Sequence, residues 1–189
     1  MHTNSTLTAN AAPSSALRGL REVSPDAFKA AFRNHPGGVA VITADAGHGP
    51  AALTATSVIS VSLAPPLLVF SLSAMSSSTA TLRAAKTAVV HLLTVDELEL
   101  AKLCATSGVD RFADCSTWSR LPTGEPFFHS APVWIRGKVV GEMVAGDSAV
   151  IALEALDVGL PPADKPVPEP LVYHNRTWHR LGSYSTLPS

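Results

Sequence analysis

The sequence predicts a mainly β protein, an antiparallel barrel with a few α-helices packed outside it. Short runs rich in Val, Ile, Thr and Phe recur between clusters of Gly, Pro, Asp and Asn, the pattern of strands joined by turns. Segments with helical spacing are few and are set apart by several such strands, which favours a barrel over a parallel, alternating fold. With 189 residues and 46% hydrophobic content, the chain can bury one good core and is too short for two full domains.

Residues 1–23 are rich in Ser, Thr, Ala and Asn without an apolar period, and read as an arm preceding a single domain over 24–183, with a tail at 184–189. Ser24-Pro25-Asp26 is a helix start, with a hydroxyl cap, proline in the first turn and an acid behind it. Phe28 and Phe32 give that helix a narrow apolar face for the barrel, and Pro36-Gly37-Gly38 stops it. Residues 39–44 form a continuous apolar run, hence a strand, and 45–49 the turn after it. A second strand is expected from Pro50 to about Leu63. Pro65-Pro66 cannot donate ladder bonds and marks a break before a third strand at 67–73.

Ser76 to Thr79 lead into a helix through Ala85, 88–93 read as a fourth strand, and Asp96 caps a helix from 97 to about 105. The irregular composition of 107–132 predicts a long excursion over the barrel. Two strands, 133–144 and 149–156, meet at Gly146-Asp147, and a proline-rich connector leads to a last hairpin turning at Asn175-Arg176.

Fourteen Lys and Arg balance fifteen Asp and Glu, so the net charge of −1 offers no footprint for nucleic acid or an anionic membrane. Charged residues make up 15% of the chain, below the usual quarter or so, which suggests a surface covered by a second copy in a homodimer. The two cysteines, Cys104 and Cys115, have no metal or redox spacing and read as incidental thiols. His174 and His179 lack a neighbouring carboxylate in sequence, so no metal site is expected. Without a signal peptide or an apolar run of membrane-spanning length, a soluble cytoplasmic protein is the expectation.

One stretch, 49–81, departs from ordinary strand patterning. Its non-apolar positions include Thr54, Thr56, Ser57, Ser60, Ser62, Ser71 and Ser73, all short neutral hydroxyls where a wet strand face would carry longer polar or charged groups. Such groups let a flat or phosphorylated ligand approach the backbone and bond to it without a competing charge. Ser77, Ser78 and Thr79, with Arg83 and Lys86 one turn on, read as a phosphate cradle or as an ordinary serine-rich cap. The fingerprints of P-loop and Rossmann nucleotide sites, zinc proteases and serine hydrolases are all absent.

The order of GGVAVITA, TATSVISVSLAPPLLVFSLS, SSTATLRAAKTAVVHLL, Asp110-Arg111-Phe112-Ala113, Gly146-Asp147 and the late PLVYH resembles the flavin reductase family, with its FMN-binding split barrel. The resemblance implies hydride transfer from NADH or NADPH to FMN or FAD, a homodimer, and a flavin-dependent monooxygenase that receives the reduced flavin. It places Thr54, Ala55, Thr56, Ser57, Ser71, Leu72 and Ser73 along the flavin, and Ser77, Ser78 and Thr79 on its phosphate. It sets Arg111 and Phe112 on a nearby loop, although a salt-bridge partner and a core aromatic would read the same way. Ser148, Tyr173 and His174 fall at the nicotinamide side. Ser148 stands where the family usually has histidine, and His91 where it tends to have asparagine. Two alternatives stay open: a flavin-binding protein without hydride transfer, and a barrel that serves only protein interaction.

Overall fold

The structure, a computed structural model, describes residues 22–166 and 168–188. The arm expected over 1–23 therefore lies, except for its last two residues, outside the described residues. The chain divides into two units at Phe32 and Arg33. The first holds all but the last residue of α1 (Pro25–Arg33), which begins as its sequence dictates, with the Ser24 hydroxyl accepting from the Ala27 N–H at 3.2 Å and the Phe28 and Phe32 rings 4.8 Å apart.

The second unit is built on a seven-stranded antiparallel sheet. Its strands are β2 (Ala40–Asp45), β3 (Pro50–Ala55), β4 (Ile59–Leu63), β5 (Pro66–Ser73), β6 (Thr87–Leu92), β9 (Val133–Ala145) and β10 (Ser148–Gly159), in the order β3-β2-β6-β9-β10-β5-β4. A small sheet adds β1 (Gly37–Gly38), β11 (Leu171–His174) and β12 (Thr177–Arg180) in the order β1-β11-β12, and β7 (Trp118–Arg120) pairs with β8 (Pro126–Phe128). The helices of this unit are α2 (Thr79–Ala84) and α3 (Leu98–Ala105).

The strand expected from Pro50 to Leu63 is two strands, and the break explains the architecture. Strands β3 and β4 occupy opposite edges of the large sheet, yet only Thr56, Ser57 and Val58 join them. A flat seven-stranded sheet would be roughly 29 Å wide, whereas four residues reach at most about 14 Å. The sheet must therefore curl until its edges approach, and the chain bends at 56–58 to cross between them.

Strand β2 is buried on both faces, as a continuous apolar run should be. Ala40, Ile42 and Ala44 join Leu53, Phe70, Ile151 and Leu153 in the barrel core. Val39 and Val41 face a second core with Ala101, Cys104, Phe112, Phe128 and Leu171, which lies beneath α3 and the excursion over 107–132. His91 sits fully buried between these layers. Its Nδ1 bonds the Val41 carbonyl at 3.1 Å and its Nε2 accepts from the Phe128 N–H at 3.1 Å, which fixes the neutral tautomer.

The turn before α3 corrects a second expectation. Thr94 opens it instead of Asp96, because the Glu97 carboxylate reaches back to accept from both the Thr94 N–H at 2.9 Å and its hydroxyl at 2.7 Å. At the last hairpin, Asn175 and Arg176 have φ of 48° and 62°, the double left-handed turn that matches strand twist.

Candidate functional site

Where β3 leaves the barrel for β4, its end faces the end of β5. Between them opens a cleft of about 270 Å³ lined by Leu53, Thr54, Ala55, Thr56, Ser57, Ser71, Ser73, Ser76 and Ser148. Ser73 and Ser148 are cross-strand partners, which brings the Gly146-Asp147 turn to the cleft mouth. A second cleft of about 200 Å³, lined by Ser77, Ser78, Val109, Arg111 and Phe112 among others, takes up the chain where the first leaves it, at Ser76–Ser77 and at Ala52–Leu53. Together they reach the range of small-molecule sites, roughly 300–1,000 Å³. The first cleft contains no ionisable side chain.

The hydroxyls of this region divide into two groups. Several are spent inside the fold. Thr54 donates to the Ala101 carbonyl of α3 at 2.6 Å, Ser78 to the Ala52 carbonyl at 2.6 Å, and Thr79 to the Ser73 carbonyl at 2.6 Å. Ser57 accepts from the Ser71 N–H at 3.0 Å and Ser73 from the Met75 N–H at 3.2 Å. The Thr56, Ser71 and Ser77 hydroxyls are exposed and have no hydrogen-bond partner among the described residues. These three make no bond within the described residues, and Ser57, Ser73 and Ser76, which only accept, also keep their O–H free to donate to an incoming ligand.

The remaining expected site residues fall as follows. Leu72 points away from the cleft: strand alternation sends Ser71 and Ser73 outward and Leu72 into the core, leaving it 1% exposed. Phe112 is a core aromatic, stacked on Phe128 at 5.2 Å and edge-on to Trp118 at 4.8 Å. Arg111 forms no ion pair among the described residues and instead donates to the Ser78 hydroxyl at 3.1 Å and to the Cys104 and Thr106 carbonyls at 3.2 and 2.8 Å. Burial pushes the neighbouring Cys104 thiol up to about 12, the Arg111 charge only partly opposing it, so that thiol is inert.

Tyr173 and His174 line none of these clefts. Tyr173 packs on Trp178 at 4.7 Å and sits opposite Gly37 in the small sheet, while Gly37 abuts Thr56, a Cβ there falling 2.9 Å from the Thr56 Cβ. Ser148 therefore reaches the cleft, and β11 stands one strand behind its wall. Ser76 also lines the cleft; the serine run pointed to that turn without showing which of its members would face inward.

The Flavin reductase like domain model matches residues 32–182. The chain belongs to the flavin reductase-like family. It is 42% identical over 153 residues to an NADH:FMN oxidoreductase of Rhodococcus qingshengii, covering 81% of this chain and 80% of that protein. It resembles the crystal structure of a flavin reductase domain protein from an Arthrobacter species, with a TM-score of 0.77, 30% identity, and 83% and 95% of the two chains covered. BorF, the flavin reductase component of a bacterial two-component tryptophan halogenase, matches with a TM-score of 0.74 and 25% identity over 84% of this chain and 98% of its own. The expected split-barrel class is thus the fold of its relatives. Among the described residues, no helix is long and apolar enough to cross a membrane, and no group of three or more His, Cys, Asp or Glu could hold a metal ion.

Proposed function

We propose that this flavin reductase family member is an NAD(P)H-dependent flavin reductase, with FMN or FAD held in the cleft between β3 and β5 and reduced flavin delivered to a partner flavin-dependent monooxygenase. The observation that carries the reading is the set of unspent hydroxyls, Thr56, Ser71 and Ser77, on walls of small neutral residues. They suit a planar, hydrogen-bonding ring system with a phosphorylated chain. When bound, the flavin supplies the hydride acceptor and NADH or NADPH the hydride.

The chain's own residues bind and orient. Thr56 and Ser71 offer hydroxyls to the polar edge and chain of the flavin, and Leu53 and Ala55 wall the cleft against water. Ser77, together with the backbone of its turn, meets the phosphate. Ser78 and Thr79 support that turn, because their hydroxyls are already bonded to Ala52 and Ser73. Ser148 borders the side where the nicotinamide stacks; its hydroxyl donates to the Asp147 carboxylate at 3.3 Å and accepts a hydrogen bond from the nicotinamide in place of a ring contact. With no ionisable group in the first cleft, no proton transfer is asked of a side chain there.

The protein acts as a homodimer. Ile59, Leu63 and Met143 are 59, 89 and 60% exposed along β4 and β9. Met143 and Ser71 both pair with Val150 and so share its face, which makes an apolar surface continuous with the cleft. Burial of that surface against a second copy would also cover the open edge of β4. Size-exclusion with light scattering should return twice the 19.7 kDa chain mass, and a monomer mass alone would refute it. A cytoplasmic location accords with its dinucleotide donor.

The test of the function is NADH and NADPH oxidation with and without added FMN and FAD. Flavin-dependent turnover is expected. Fluorescence quenching of flavin without dinucleotide consumption would replace the reductase reading with a flavin-binding protein that lacks hydride transfer.

A further inference from the structure

Arg111 ties the end of α3 to the start of α2 and, through Ser78, to the strand lining the site. Helix α3 ends at Ala105, leaving its last carbonyls without helical partners. Arg111 Nε takes the Cys104 carbonyl and a terminal nitrogen takes the Thr106 carbonyl, so the guanidinium caps that end, where positive charge is favoured. Its other terminal nitrogen donates to the Ser78 hydroxyl, which in turn donates to the Ala52 carbonyl of β3. Ser78 lies immediately before α2, beside the unspent Ser77. A second bond, from Thr54 to the Ala101 carbonyl, ties β3 to the same helix. The result is a closed ring of β3, α2, Arg111 and α3 around the outer end of the candidate flavin site.

We propose that Arg111 is a positioning residue for flavin binding. It acts through Ser78, holding the Ser76–Ser77 turn against β3, and does not contact the flavin phosphate itself. The proposal rests on the flavin reading above. All three of its bonds go to neutral oxygens of the protein, and they diverge in a way that only the planar, forked guanidinium can satisfy together. A lysine ammonium keeps the charge but cannot span the three acceptors.

The experiment compares FMN with riboflavin, which lacks the phosphate, in fluorescence titrations of the wild type, Arg111→Lys, Ser78→Ala and the double variant. Wild-type binding of FMN is measured first, and its absence would remove the flavin reading rather than this one. If Arg111 positions the turn, Arg111→Lys weakens FMN, whose phosphate that turn meets, about tenfold for the loss of one to two net hydrogen bonds, and weakens riboflavin less. Ser78→Ala then weakens FMN to a similar degree, and the double variant is little worse than Arg111→Lys, because the two residues act in one chain of bonds. An FMN affinity unchanged by Ser78→Ala beside a loss in Arg111→Lys, or losses that add in the double variant, would make Arg111 a phosphate ligand and overturn the proposal, as would unchanged FMN binding by Arg111→Lys. Should Arg111→Lys fail to fold, Ser78→Ala decides alone: it leaves the α3 carbonyls capped, and weakened FMN binding supports the proposal while unchanged FMN affinity overturns it.

Discussion

Two sets of hydroxyls occupy the same stretch of chain and do opposite things. Thr54, Ser78 and Thr79 bond carbonyls at 2.6 Å and hold β3, α2 and α3 together, whereas the Thr56, Ser71 and Ser77 hydroxyls are exposed without a partner among the described residues. Residue type does not distinguish them. What does is whether the side chain faces into the packed layers or out to the cleft, so a dense hydroxyl stretch can be scaffold and binding surface at once. Substitutions in the first set should cost stability, and in the second ligand affinity.

The largest effect lies at the limit of the inward set, the fully buried His91. Burial lowers its pKa to about 4, the bond to the Val41 carbonyl opposing only partly, against about 6.5 in the unfolded chain. The unfolded state therefore binds this proton first. The His91 contribution is intact above about pH 6.5 and is lost as pH falls from there toward 4, by about 3 kcal/mol in all. Urea unfolding of the wild type and of His91→Gln across that window measures it. The wild type should lose more stability than the variant, and parallel pH profiles would contradict the assignment.

Next comes Ser78→Ala, which strands the buried Ala52 carbonyl and one Arg111 donor. A loss of about 1–3 kcal/mol is expected in denaturant unfolding. Thr54→Val, half-buried and with one bond, should cost about 0.5–1.5 kcal/mol by the same measurement. Stability unchanged in both would erase the distinction between the two sets.

Much of the fold was legible because local signals agreed. The apolar run 39–44, the break at Pro65-Pro66 and the Asn175-Arg176 turn each have a backbone cause that resides in the residues themselves. The bend at Thr56-Ser57-Val58 had no such signal. Those residues favour strands, and the run breaks there because the chain must cross from one edge of the curled sheet to the other. The cleft was legible as a density of small hydroxyls, but its division was not. Thr54 is committed by a carbonyl 47 positions away, and Arg111 links Ser78, 33 positions back, to α3. Leu72, which the resemblance set along the flavin, lies in the core instead, and strand alternation between two outward serines was the signal that could have shown it.

The smallest effect on the fold, and the most direct test of the account, is at Thr56 and Ser71. Thr56→Val and Ser71→Ala should leave unfolding stability within about 0.5 kcal/mol. The decisive measurement is the FMN dissociation constant of the wild type beside that of Thr56→Val, by fluorescence titration. The account predicts weakening by about 0.5–1.5 kcal/mol, some two- to tenfold, with the thermal midpoint unmoved. An unchanged dissociation constant would contradict the placement of the flavin between β3 and β5.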